Sequence, residues 1–156
     1  PQKVYGIELS ADAQIVSNLK AGANLSWFEG KLKSASGDWD TYMSNISIPA
    51  AKLAMYVNYA PVKNTYLSLQ YIHTGKRDRF APNAAGTYNE GEGKVNRINL
   101  LNLTAGVRLK AWDLSLAVSN LLNYTYYTPS SMLMARNAEY AHADGRNITL
   151  TASFRY

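Results

Sequence analysis

The sequence contains no cysteine, which excludes disulfides as a source of stability and rules out the Cys-rich kinds of zinc site. It also lacks a long apolar run. The longest clean stretch, Leu53 to Val57, falls far short of the roughly 20 residues that a membrane helix needs. Helical spans are therefore excluded. Transmembrane β-strands are not excluded, because lipid-facing and lumen-facing side chains alternate and keep the mean hydropathy near that of a soluble chain. The slightly negative mean hydropathy here suits either case. Charged residues are sparse at 17 %, and the net charge of +5 comes mostly from Lys and Arg spread singly along the chain instead of gathered in a stripe. Nucleic acid is accordingly not an expected partner. The chain opens at Pro1 with neither an initiator Met nor a signal peptide, and it reads as a fragment excised from something longer.

What the sequence does contain is alternation with a period of two residues, rich in Val, Ile, Leu, Tyr and Thr. From Asn147 onward, Ile148, Leu150, Ala152, Phe154 and Tyr156 fall on one face, and Thr149, Thr151, Ser153 and Arg155 on the other. One face suits lipid and the other water. Leu101, Leu103, Ala105, Val107 and Leu109 oppose Asn102, Thr104, Gly106, Arg108 and Lys110 in the same way. Further strands are expected through Ile7 to Ile15, Lys20 to Trp27, Leu53 to Tyr59, Leu67 to Tyr71 and Leu114 to Val118. That makes about seven, each near the ten or so residues needed to cross a bilayer at a tilt.

The connections alternate strictly in length. Short turns are expected at Val16 to Leu19, Ala60 to Asn64 and Lys110 to Trp112; long loops at Glu29 to Ser47, Gly75 to Asn96 and Asn123 to Gly145. Short periplasmic turns and long extracellular loops are the sidedness rule of outer-membrane barrels, and it puts the C-terminus in the periplasm. Aromatic residues near strand ends, Trp27, Phe28, Tyr71, Tyr124, Tyr126 and Tyr127 at one end and Tyr59, Trp112 and Tyr156 at the other, suit two interfacial girdles. A soluble β-sandwich would share the alternation but does not readily explain the ordered connections. Seven strands cannot close a barrel of even strand number, and open edges are not tolerated in lipid, so further strands are expected upstream.

The stretch Ala117-Val118-Ser119-Asn120-Leu121-Leu122-Asn123-Tyr124, followed by Tyr126-Tyr127 and then by Gly145-Arg146-Asn147-Ile148 through Tyr156, resembles the closing segment of TonB-dependent outer-membrane receptors. Upstream, Tyr5-Gly6-Ile7-Glu8 is similar to that family's strand opening and Ile48-Pro49 to its proline before a returning strand. Leu122 departs from the pattern, which commonly has an aromatic there. The resemblance implies the C-terminal part of an all-β antiparallel transmembrane barrel, 1–156, cut from a 22-stranded wall whose plug domain is absent here. It implies active import of a ferric siderophore or similar metal chelate, energised by the TonB complex through the absent N-terminal part. The final residues resemble the family's assembly signal, with Ile148, Leu150, Phe154 and Tyr156 read by the barrel-assembly machinery. A passive porin or an adhesin-type barrel is the alternative, and an upstream plug would discriminate.

No catalytic constellation stands out, and an enzyme is not expected. His73 and His142 are far apart in sequence; Glu139 and Asp144 lie near His142 without a second His at ligand spacing, so no metal site and no cofactor is implied. Gly91-Glu92-Gly93-Lys94 lacks the spacing of a phosphate loop. One cluster carries possible chemistry: Lys76, Arg77, Asp78 and Arg79, with Arg97 at the far end of the same loop. Extracellular cations there would attract an anionic chelate, or else meet solvent or the phosphates of lipopolysaccharide. Membrane lipid and lipopolysaccharide are expected partners in either case.

Overall fold

A strand that is apolar on one side and polar on the other needs two hydrogen-bonded neighbours and two different solvents. The computed structural model describes residues 1–135 and 140–155 and meets the first need with one antiparallel sheet. Its elements are β1 (Gln2–Val16), β2 (Leu19–Leu32), β3 (Thr41–Tyr42), β4 (Lys52–Tyr59), β5 (Thr65–Thr74), β6 (Ile98–Leu109), β7 (Trp112–Ser119), α1 (Pro129–Ala135) and β8 (Asn147–Phe154). The strand order is β1-β2-β4-β5-β6-β7-β8, with β3 attached to β2. It is a meander, as expected of a barrel wall. All seven expected strands are present; β3 and α1, both inside long connections, were not foreseen.

The registers align the apolar positions into continuous rows. Ala13 pairs with Ala21, and the row continues through Val57, Leu69, Leu103 and Val118 to Ile148. One pleat away, Gln14 begins a polar row that runs through Lys20, Asn58, Ser68, Thr104 and Ala117 to Thr149. A one-residue slip of any strand would exchange the two rows and put Lys20 or Ser68 into lipid. Among the described residues no second sheet covers either face, which removes the sandwich alternative. Ile7, Leu9 and Leu150 accordingly remain exposed.

On the polar face three glycines sit opposite aromatic rings: Gly6 opposite Phe28, Gly22 opposite Tyr56 and Gly106 opposite Tyr66. A Cβ at Gly22 would lie 2.6 Å from the Tyr56 ring, and one at Gly106 would overlap the Tyr66 ring. Glycine lets the ring lie flat on the backbone and lets the wall curve at that point. Phe28 thus faces the polar side, not the girdle.

β2 runs five residues past Trp27, to Leu32, although Glu29 had been expected to open a loop. The ladder with β1 continues there through Glu29 opposite Tyr5 and Lys31 opposite Lys3. The wall outlasts the apolar belt, so the hydropathy signal stops before the hydrogen bonding does. α1 starts where Thr128 caps it, its hydroxyl accepting from the Ser131 N–H at 3.1 Å. Glu139 and Tyr156 lie outside the described residues.

Candidate functional site

The three long connections leave the sheet at one end, where their contacts tie them to each other. In the first, Met43 and Ile48 lie on Gly30, where a Cβ would come within 2.7 Å of both. Both side chains are buried. The Asn45 N–H donates to the Gly91 carbonyl at 2.7 Å, and its side-chain amide donates to the Gly93 carbonyl, joining the first connection to the second. The third joins through α1: Met132 and Leu133 pack with Val95 and Ile98 in a buried cluster that Leu100, Tyr126 and Tyr127 flank. Tyr126 and Tyr127, expected in a girdle, thus pack instead on the core of the loops.

A buried ion pair closes the clasp. Arg77 Nη2 lies 2.7 Å from Glu29 Oε1 and Arg79 Nη2 3.0 Å from Glu29 Oε2, while Arg77 Nε donates to Asn45 Oδ1 at 2.7 Å. Glu29 and Arg77 are only 3 % and 5 % exposed, so each requires the other. Burial opposes the Glu29 charge, but the hydrogen bonds from Arg77 and the Gly30 N–H, with the charges of Arg77 and Arg79, outweigh it and hold the carboxyl below its usual range. Asp78 is held low by hydrogen bonds from Lys76 and Lys94, each at 3.0 Å. Arg79 also sits over the Tyr42 ring, 5.2 Å from its centre.

Of the four loop cations singled out by sequence, the structure brings Lys76, Arg77 and Arg79 together, while Arg97 lies exposed at the foot of β6 and takes part in none of these ties. Of the anionic half of the cluster, Asp78 stood among the residues singled out by sequence, whereas Glu29 did not. Glu29 could have been found by continuing the parity of Leu25 and Trp27 outward, which puts an acid on the apolar side of β2.

Beneath the loops, against the inner ends of β4, β5 and β6, lies a cavity of about 360 Å³ lined by Asn45, Lys52, Thr74, Leu100 and Tyr126 among others. Further along the same polar face a groove of about 290 Å³ runs between Tyr56, Asn58, Ser68, Gln70, Asn102 and Thr104. The Tyr56 hydroxyl donates to Asp12. His73 is engaged with Asn99, its Nδ1 2.7 Å from Oδ1, and His142 lies against the Tyr127 ring. Among the described residues no three His, Asp or Glu side chains gather as a metal site.

At the other edge of the sheet, Ile148, Leu150 and Phe154 stand on β8, 64 %, 77 % and 55 % exposed. Among the described residues β8 pairs with β7 and with no other strand. Phe154 is braced by Trp112, the ring centres 5.0 Å apart.

Comparison with known proteins agrees with this geometry. Residues 1–121 match the family model described as TonB dependent receptor-like, beta-barrel. Among solved structures, the copper transporter OprC aligns with 99 % of the chain at a TM-score of 0.76 and 19 % identity. The ferric-catecholate import receptor Fiu from E. coli aligns with 98 % at 0.69 and 16 %. The ferric enterobactin receptor PfeA from Pseudomonas aeruginosa aligns with 97 % at 0.66 and 17 %. The chain spans 24 %, 21 % and 22 % of those three chains. At these identities the likeness is one of fold.

Proposed function

The chain belongs to the TonB-dependent receptors, and from that premise we propose that it forms part of the barrel wall of an active outer-membrane importer for a metal chelate, a ferric siderophore being the leading candidate. One observation carries the reading. The sheet is a single layer with an apolar row on one face and a polar row on the other across all seven long strands, and the polar face opens at the loop end into a cavity of about 360 Å³. A wall of that kind separates lipid from a lined passage. The three solved relatives are named for metal cargo, one as a copper transporter and two as receptors for ferric chelates, which supports a metal-bearing cargo here. The family consists of transport receptors, so chemistry on the cargo is not part of the reading.

In this arrangement the long loops face outward and the C-terminus lies in the periplasm. The Arg155 N–H donates to the Ala111 carbonyl at 2.8 Å, putting the chain end beside the tight turn between β6 and β7. Ile148, Leu150, Phe154 and Tyr156 then serve as the signal for the barrel-assembly machinery, read by pairing along the open edge of β8. Lys76, Arg77, Arg79 and Arg97 contribute to a positive field at the outer mouth that steers an anionic chelate, an effect that acts over distance and survives the burial of Arg77.

The test is uptake of labelled ferric chelates by cells producing the full-length receptor, with and without functional TonB. Uptake that needs TonB, and that Lys52→Ala in the cavity weakens several-fold, is the expected result. Uptake indifferent to TonB would make the barrel a passive porin.

A further inference from the structure

Resting on the outer-membrane reading, a second feature of the loop end points away from the passage. Lys3 pairs with Lys31, and Lys31 with Tyr42. Along β1 and β2 these lysines keep the parity of Ile7, Leu9, Leu25 and Trp27, so they stand on the lipid-facing side of the wall. They lie four residues beyond Ile7 and Trp27, roughly 13 Å along the strand at about 3.3 Å per residue. With a barrel tilt near 40° that is roughly 10 Å of height, close to the depth of the polar layer that caps the hydrocarbon.

Arg79 reaches the same spot from the far side. Its guanidinium and the Lys31 ammonium each lie 5.2 Å from the centre of the Tyr42 ring. Below them a recess of about 310 Å³ opens between Trp27, Ala51, Lys76, Arg77, Asp78 and Arg79. It exists because β4 starts only at Lys52 while β2 continues to Leu32, leaving a notch in the wall. Three cations, Lys76, Arg77 and Arg79, line it, and Lys31, with Lys3 opposite it, adjoins it through the Tyr42 ring that Arg79 shares; the carboxylates there are Glu29 and Asp78, the latter held by Lys76 and Lys94. Glu29 is occupied by Arg77 and by one edge of Arg79. Positive charge is therefore left over at headgroup height, directly above an apolar stripe.

We propose that this notch binds the phosphorylated headgroup of an outer-leaflet lipid, with Lys3, Lys31 and Arg79 contacting phosphate and Ile7, Leu9, Leu25 and Trp27 carrying the acyl chains. The side of the wall decides against the cargo as occupant, since cargo travels along the other face. The apolar stripe beneath decides for a lipid over a free anion.

The experiment uses the full-length receptor in mild detergent and counts bound lipid by native mass spectrometry after addition of bisphosphorylated lipid A or its dephosphorylated form. The wild type is expected to retain the bisphosphorylated lipid and not the dephosphorylated one. Changing Lys3, Lys31 and Arg79 together to Ala should lower retention roughly tenfold to a hundredfold. Lys63→Ala, on an exposed turn at the opposite end, should leave it unchanged. Equal retention by the triple variant, or equal retention of the dephosphorylated lipid, overturns the proposal. Displacement by excess inorganic phosphate alone would make it a free-anion site and overturn the lipid assignment. Heat-modifiable migration of every variant on a gel is read in parallel: its absence in the wild type would defeat the barrel reading itself and not this site in particular.

Discussion

Removing the charge from Glu29 would leave Arg77 buried with no carboxylate opposite it. Breaking one partner of a buried pair costs about 3–5 kcal/mol, because the remaining charge stays desolvated. Glu29→Gln is therefore expected to open the clasp between β2 and the second long loop, seen as lost hydrogen-exchange protection at Arg77 and Val95, whose amides bond each other's carbonyls at 2.9 Å. Replacing Glu29 and Arg77 together by Leu and Met should restore much of that protection, since no charge is left buried. Acid should act as the single substitution does. The Glu29 carboxyl is held below the ordinary carboxylate value of 4.5, so the stability it lends is fully present above about pH 4.5 and is lost as pH falls through the lower, folded value. Asp78 is depressed too and works in the same direction. Protection factors for the loop that stay flat from pH 7 to pH 3 would contradict this account. Of this, the sequence reading held the loop cations and Asp78 but not their buried partner Glu29. An Arg in a loop reads as solvated until the strand carrying its acid is known to continue past the membrane, and only the parity of Leu25 and Trp27, carried outward past the end of the apolar signal, points to Glu29.

At the scale of the element, the strands were legible because lipid on one side and water on the other impose a pattern with a period of two that little else in a protein imitates. The face taken by each residue followed as well, and the structure sets Leu69, Leu103 and Val118 in one row, as that assignment requires. Leu103→Arg, near the middle of β6, should cost roughly 2–4 kcal/mol in barrel stability, while Thr104→Arg, beside Ser68 on the polar face, should cost little. Urea unfolding of the two variants in lipid vesicles measures the difference, and equal losses would mean that the faces are assigned the wrong way round. β3 and α1 were not legible for the opposite reason. β3 is two residues long and exists only because β2 outruns the belt, and α1 is seven residues held by the burial of Met132 against Val95 and Ile98. Their sequences carry no period long enough to read, and tertiary contact decides them.

Considered whole, the sheet has two open edges. β1 presents fifteen residues and β8 eight, and neither pairs with the other. In lipid each unpaired N–H and C=O on such an edge costs several kcal/mol, so the edges must find partners from the rest of a barrel wall or from another copy. The solved relatives supply the first kind, this chain covering only 24 % of OprC and 21 % of Fiu. The cavity, the clasp and the lipid-side notch all lie near the loop end, where the loops hold each other through their own contacts, whereas closure requires partners for β1 and β8 that this sheet does not itself provide. Residues 1–156 expressed alone should therefore aggregate or remain unfolded in detergent, while the same residues within a complete barrel should migrate as a heat-modifiable, protease-resistant species. A stable, heat-modifiable monomer formed by the piece alone would mean that β1 and β8 can meet, that the barrel is a small one, and that the argument from a large plugged importer fails at its base.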